Sequence, residues 1–426
     1  MIRINNVKFK LLSMQFNSNR ALTKIVLIAA ICVFSTQFGV TVIAPLLGEW
    51  VKASETPSFV SALIFSSFTI VSIPLSVSGG IISDKLGRKP LIVAGLLLYA
   101  VASALFPFSN NTYDWIFVRA LQGAGAGLFF PAVTALLSEV TSYEERGHAL
   151  SVYNMGLGAG LAAGPISGGV LFDIYGIHMP FFFCVVFALL SVVLVLLFVH
   201  EPKTRSKRKK KRKRLSLSER ERKALTLACV AIFFGIGVAA IMGALFSPFA
   251  TNNLELPDYE LSTGVVIHAT GIIGVILSAM FVVFVILQTG FGRLMKRVGE
   301  IILSIAGLFL CACGLIVLYS ATSIPGLFIM SFFLGAGLGA ISLGTLTLAS
   351  KAAGVGAGAE EGAIEQGQKQ EQEGRVMGIY YAMFYAGIGG VPLVCGALSD
   401  IFSARLMFLG YAVLLLVLMV VVWKVR

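Results

Sequence analysis

Gly80-Ile-Ile-Ser-Asp84-Lys85-Leu-Gly87-Arg88-Lys89 is a short polar passage between two long apolar runs, and its pattern returns later in the chain. Gly292-Arg-Leu-Met-Lys296-Arg297-Val-Gly299-Glu300 repeats its spacing of glycines and charges 212 residues on. The same offset carries Gly123, Gly125 and Gly127 onto Gly335, Gly337 and Gly339. Further along, Gly160, Pro165, Gly169 and Asp173 fall on Gly387, Pro392, Gly396 and Asp400 at an offset of 227. The 15-residue difference, 227 − 212, lies in a Gly-, Glu- and Gln-rich stretch around 351–375, whose composition predicts a flexible insertion. The chain reads as one design used twice.

Composition says what that design is made for. Of 426 residues, 57% are hydrophobic and 13% charged, against roughly a quarter charged in soluble domains. With a mean hydropathy of +0.89, too few charges remain to coat a soluble surface, which excludes soluble enzymes, disordered chains and disulfide scaffolds. Apolar stretches recur at 25–47, 58–82, 91–108, 115–138, 149–172, 179–199, 224–250, 263–290, 301–320, 324–349, 376–398 and 406–423. Each of these twelve is close to the roughly 20 residues that cross about 30 Å of hydrocarbon as a helix. The short alternating segments of a β-barrel are absent. The first stretch follows a basic start, but 23 uncharged residues from Ile25 to Leu47 exceed a signal-peptide core and predict a retained membrane helix. All six cysteines sit inside apolar stretches without a CxxC pair or histidines at ligand spacing. No metal site, cofactor or nucleophile motif is expected, and so no enzyme.

Twelve spans put both termini on one side, and the basic residues say which. Of 33 Lys and Arg, 30 fall in the termini and the loops after spans 2, 4, 6, 8 and 10. Lys52 and Arg405 lie in the opposite loops, and Arg119 within span 4. The positive-inside rule then predicts cytoplasmic termini. The expected organisation is a basic tail over 1–24, a six-helix bundle over 25–199, a linker over 200–223, a second bundle over 224–423 and a cytoplasmic end over 424–426. Thirteen basic residues crowd the linker, including KRKKKRKR from Lys207 to Arg214. Between two membrane bundles such a run predicts a topology-fixing segment, able to lie on anionic lipid, rather than a nucleic-acid partner.

The passage from Gly80 to Lys89, in its place after span 2, resembles the loop signature of the major facilitator superfamily, and the resemblance covers nearly the whole chain. It implies an all-α fold of twelve membrane helices in two pseudo-symmetric six-helix bundles, rocking about a site between them. The residues have their own chemistry. Gly80 predicts close packing and Gly87 a tight turn. Asp84 is a lone carboxylate among Lys85, Arg88 and Lys89, free to pair with them or to face a helix N-terminus. The resemblance makes it a latch between bundles. In the second half Lys296 and Glu300 replace Asp84 and Arg88, so the matching latch is either charge-swapped or absent.

Span 4 carries Arg119-x-x-Gln122-Gly123-x-Gly125-x-Gly127. An arginine at mid-helix costs about 2.5–3.5 kcal/mol on insertion scales, so it either faces a partner inside protein or snorkels from a helix end. The motif resembles one whose arginine takes part in proton coupling, with Gln122 as a local hydrogen-bond partner. Span 5 has Gly156, Gly160, Gly164 and Gly168, each four apart, with Pro165 and Gly169. The glycines form one flat stripe for a close neighbour, for which Thr270, Gly274 and Ser278 of span 8 are candidates. Pro165 bends the helix by removing a backbone donor to Leu161. This motif resembles that of the drug:proton antiporter subgroup and favours export over uptake.

The resemblance also lines the central cavity with spans 1, 4, 7 and 10. Gln37, Phe38, Thr41, Phe130, Phe234, Met242, Phe246 and Phe333 are the candidates there, a mainly apolar set suited to a bulky apolar ligand. None of the 21 acids lies near mid-span, and span 1 has Gln37 and Gly39 where several drug exporters carry an acid. His268, read as part of span 8, titrates near neutral pH and is a coupling candidate or a packed side chain. The expectation is a secondary transporter in the plasma membrane, exporting small apolar molecules against protons. The alternatives are an uptake symporter or facilitator for a small metabolite, and a non-transporting receptor or scaffold.

Overall fold

The computed structural model describes residues 20–141, 143–200, 217–260, 262, 264–352 and 363–425. Twelve of its helices are long and apolar enough to cross a membrane. Helix α1 runs Arg20–Thr41, breaks before Pro45 and resumes as α1b, Leu46–Ser54. Then follow α2 (Ser58–Leu86), α3 (Arg88–Leu105), α4 (Thr112–Val140), α5 (Tyr143–Tyr175) and α6 (His178–Phe198). The second set comprises α7 (Glu219–Ile241), which continues through a π-helical turn (Met242–Phe246) into α7b (Ser247–Asn253). It goes on with α8 (Ala269–Val298), α9 (Glu300–Ser320), α10 (Ile324–Ala352), α11 (Ala363–Ile401) and α12 (Ala404–Val425).

Local chemistry sets several boundaries. Asn111 caps α4 by accepting from the Asp114 amide at 3.0 Å, and Ser218 with Glu221 forms a capping box at α7. Gly87 and Gly299 link α2 to α3 and α8 to α9 with φ of +107° and +86°, a region that side chains disfavour. Two spans differ from expectation. Helix α8 starts at Ala269 because a small hairpin, β1 (Tyr259–Glu260) paired antiparallel with β2 (Val266–Ile267), occupies the residues before it. Helix α11 starts at Ala363, so half of the expected flexible insertion is helical; its Glu, Gln and Lys residues are good helix formers.

Packing repeats as the sequence does. A Cβ added at Gly123 would lie 2.1 Å from the Phe68 carbonyl of α2, and one at Gly125 would lie 2.7 Å from the Gly95 carbonyl of α3. Their counterparts Gly335 and Gly337 meet the Met280 carbonyl of α8 at 2.3 Å and the Gly307 carbonyl of α9 at 2.8 Å. The two six-helix bundles touch chiefly through α5 against α8 and α2 against α11. With twelve crossings, α1 begins and α12 ends on one face, called the near face here; the opposite one is the far face.

Candidate functional site

Helix α5 is the best-defined element of the site. Its glycine stripe lies on α1, not on α8. Cβ atoms at Gly156, Gly160 and Gly168 would sit 2.3, 2.5 and 2.1 Å from the carbonyls of Ala30, Phe34 and Val42. At Gly164 the nearest atom is the Thr41 hydroxyl, at 2.1 Å. Helix α8 instead takes the adjoining edge of α5: a Cβ added at Gly169 would lie 2.3 Å from the Thr270 carbonyl, and one at Gly274 would lie 2.3 Å from the Pro165 carbonyl. Both neighbours bring a hydroxyl to the backbone around Pro165. The Leu161 carbonyl, which loses its helical donor to Pro165, has Thr41 Oγ1 3.5 Å away, a hydroxyl whose shorter bond, at 3.0 Å, goes to the Gln37 carbonyl of α1. The Ile166 amide donates to Ser278 Oγ across the bundle interface at 2.8 Å.

Arg119 is fully buried in the first bundle. Its Nη1 donates to Gln122 Oε1 at 3.0 Å, and Gln122 Nε2 donates to Ser103 Oγ of α3 at 3.0 Å. The relay ends at the Tyr99 backbone carbonyl of α3, which accepts from Ser103 Oγ at 2.9 Å; the Tyr99 hydroxyl separately donates to the Thr36 carbonyl of α1 at 2.9 Å. The guanidinium lies over the rings of Phe68 and Phe65, with centroids at 4.9 and 5.6 Å. Its Nε and Nη2 have no hydrogen-bond partner among the described residues. A charge held by rings and one amide, inside protein, is not a snorkelling arginine. Ser103 and Tyr99 carry no sequence signal as members of this relay; a partner on a neighbouring helix is a property of the packed bundle.

On the near face, Arg88 donates to Glu139 Oε1 from Nε and Nη2, at 3.1 and 2.8 Å, and from Nη1 to Ser83 Oγ. Lys89 Nζ donates to the Leu196 carbonyl at the end of α6, at 2.8 Å. Lys85 is exposed, and the side chain of Asp84 lies outside the described residues, so the expected latch carboxylate has no placement here. A Cβ at Gly80 would meet nothing within 4 Å; the close approach is made by Gly79, against the Gly127 carbonyl at 3.0 Å. In the second half Glu300 Oε2 accepts from Lys351 Nζ at 2.8 Å. Glu300 and Lys351 stand 212 residues after Arg88 and Glu139. The pair is kept with its signs exchanged.

The remaining candidates scatter. His268 precedes α8 rather than lying within it, and is exposed with Nδ1 2.9 Å from Asp258 Oδ1. That hydrogen bond raises its pKa above the ordinary histidine value. Phe38 turns onto α6, its ring perpendicular to Phe187 at 5.2 Å. There it helps to line a crevice of about 450 Å³ bounded by α1, α5 and α6 of the first bundle alone. Thr41 Oγ1 donates to the Gln37 carbonyl of its own helix at 3.0 Å, and Met242 and Phe246 are fully enclosed around the π-helical turn. Gln37, Phe130, Phe234 and Phe333 are partly buried.

A description of the Major Facilitator Superfamily matches residues 29–360, more than three-quarters of the chain. The chain belongs to the major facilitator superfamily. This superfamily member is a multi-pass membrane transporter, with a small molecule as its substrate. An uncharacterised MFS-type transporter of Methanocaldococcus jannaschii is 23% identical over 332 residues, 78% of this chain and 83% of its own length. Multidrug resistance protein 2 of Bacillus subtilis is 29% identical over 161 residues, covering 38% of this chain and 40% of that one. The quinolone resistance protein NorA of Staphylococcus aureus is 25% identical over 171 residues, covering 40% and 44%. In those two, the match spans about two-fifths of the relative. The fold agrees over nearly the whole chain with a POT family transporter solved in complex with 5-aminolevulinic acid (TM-score 0.74, 13% identity, 96% of each chain). It agrees similarly with a bacterial homologue of the human lysosomal transporter Spinster (TM-score 0.72, 13% identity, 96% and 97%).

Proposed function

We propose that this transporter exports small, largely apolar compounds in exchange for protons, by alternating access between two bundles. The observation that carries the reading is the seat of α5. Its Gly156–Gly168 stripe lies against the α1 backbone, and Ser278 of α8 takes the Ile166 amide beside Pro165. By resemblance this is the antiporter-type motif. The names of the multidrug and quinolone resistance relatives favour the same class, over the stretches they share. Phe130, Phe234 and Phe333 offer an apolar lining, and Arg119 with Gln122 is the coupling centre.

The membrane is the plasma membrane and both termini are cytoplasmic, a reading supported by the basic residues gathered in the near-face loops and termini. The basic run over 203–223, most of which lies outside the described residues, is the proposed contact for anionic lipid. The alternative is an uptake symporter or a facilitator, and one observation favours the facilitator: no acid lies near the middle of any span to carry a proton. Purified protein in liposomes with an imposed pH gradient separates the two. Lipophilic dye moving against the proton flow, and stopping when an ionophore collapses the gradient, supports export. Solute accumulating together with protons, or equilibrating without them, replaces export with the alternative.

A further inference from the structure

Asp173 and Asp400 lie at the far-face ends of α5 and α11, at matched positions of the two repeats, and each reaches into the opposite bundle. Asp173 Oδ2 accepts from the backbone amides of His268 and Gly271, both at 2.8 Å, where α8 begins. Asp400 accepts from the Ser58 amide at Oδ1, 2.7 Å, and from the Phe59 amide at Oδ2, 2.9 Å, where α2 begins. The first amides of a helix have no acceptor within it and carry the positive end of its dipole, so a carboxylate there is a strong partner. Neither helix supplies its own: the residues before them, His268 and Pro57, make no side-chain cap. Gly169 and Gly396, one turn earlier, admit the backbones of α8 and α2. Other cross-bundle bonds join the same face. Ser247 Oγ of α7b accepts from the Gly48 amide of α1b and donates to the Pro45 carbonyl, and Ser61 Oγ of α2 donates to the Ala244 carbonyl of the π-helical turn.

We propose that Asp173 and Asp400 are paired clasps that hold the far face shut, and that both must let go for it to open. They are positioning residues, acting on the bundles and not on the substrate. The inference rests on the two-bundle fold and on alternating access, and is independent of cargo and direction. The clasps differ in one detail with consequences. At Asp173 a single oxygen accepts both bonds, and an asparagine keeps that oxygen while losing the charge. At Asp400 each oxygen accepts one, so an asparagine puts an NH₂ donor against an N–H donor. Asp400→Asn therefore breaks its clasp, and Asp173→Asn only weakens its own.

Hydrogen–deuterium exchange of the full-length protein in lipid nanodiscs tests this without a substrate. Peptides covering 57–62 and 266–272 report the two helix starts. For Asp400→Asn, exchange is expected to rise about fivefold at 57–62, the loss typical of one helix cap. It should also rise at 266–272, which Asp400 does not touch in the structure. Asp173→Asn should raise both by less, and Asp400→Glu, which keeps two acceptor oxygens, should restore most of the protection. A rise confined to the helix that the altered residue caps would overturn the proposal, because it describes two local caps and no shared gate. Should Asp400→Asn fail to insert, Asp173→Asn carries the same test: a rise at 57–62 supports the paired clasp, and a rise at 266–272 alone overturns it.

Discussion

Helices α5 and α11 hold matched places in the two halves, yet they solve the same packing problem from opposite sides. In the first half the glycine sits on α5: Gly164 receives the Thr41 side chain of α1. In the second half the matched position is Val391, and the gap is on the partner helix, where a Cβ added at Gly237 of α7 would lie 2.9 Å from that side chain. The near-face ion pairs show the same freedom, with Arg88–Glu139 answered by Glu300–Lys351. What the repeat keeps is distance and charge complementarity; which helix gives up the side chain, or carries the cation, is free to change. Arg119 is the exception, since its counterpart 212 residues on is Ser331, which donates to the Ile276 carbonyl at 2.9 Å.

The sharpest way to break the comparison is to overfill both seats. Gly164→Leu places a branched side chain where even a Cβ falls 2.1 Å from Thr41 and 2.6 Å from the Phe38 carbonyl. Overpacking of this kind costs about 1–3 kcal/mol or more, whereas Val391→Leu should stay under about 1.5 kcal/mol. Thermal melting in detergent should show the large difference, with transport in vesicles falling in the order wild type, Gly164→Ala, Gly164→Leu. Equal melting for Gly164→Leu and Val391→Leu would mean that the two seats are equally tight.

Arg119 tests the exception. A methionine there keeps length and removes a buried charge that has no carboxylate partner among the described residues. If the charge is retained for function, Arg119→Met should melt no lower than wild type, or be stabilised by about 1 kcal/mol, while transport is lost. Arg119→Lys should lose more than half of the activity, because it forfeits the planar fork that stacks on Phe68. Normal transport in both variants would leave Arg119 a packing residue.

Much of this was legible in the sequence, and what was not has physical reasons. Span number, the repeat and the near-face turn at Gly87 follow from local composition, because each depends on a few adjacent residues. The face on which the α5 stripe lands does not, since a flat stripe accepts any close backbone; the spacing of small residues pointed to span 8, and packing put α1 there. His268 read as intramembrane because a small hairpin looks apolar over Val265–Ile267. Asp173 and Asp400 were visible as a repeat, but their role needed helix starts from the other bundle. The exchanged ion pair was half legible: Glu300 stood where Arg88 stands, and only packing brought Lys351 to it.

The charge pairs give a smaller effect, again unequal between halves. Arg88 is largely covered, at 14% side-chain exposure, whereas Lys351 is 58% exposed. Solvent screening limits the exposed pair to about 0.2–1 kcal/mol, so Lys351→Gln should barely move the melting temperature. Arg88→Gln, which also abandons Ser83, should move it more. Exchanging the first pair, Arg88→Glu with Glu139→Arg, should recover part of that loss, because the second half already works with the signs reversed. No recovery in the double variant would mean that the arginine fork, held by Ser83 of α2, and not charge complementarity joins α3 to α4.

The smallest expected effect concerns the far-face hairpin, which has no counterpart described in the first half. His268 holds Asp258 through Nδ1, and its pKa in the folded protein is raised by that bond. A histidine whose folded value exceeds its unfolded one stabilises fully below the unfolded value, near 6.5, and the contribution fades as pH rises through the folded value. Raising the pH across that window should therefore loosen residues 258–268. Because the pair is exposed, the change in hydrogen exchange should be no more than about twofold after correction for the intrinsic rate. Asp258→Asn supplies the control: with no carboxylate to pair, its hairpin should exchange at the high-pH level throughout. A wild-type hairpin that follows this variant at every pH would show that the pair holds nothing, and that Asp173 alone anchors the start of α8.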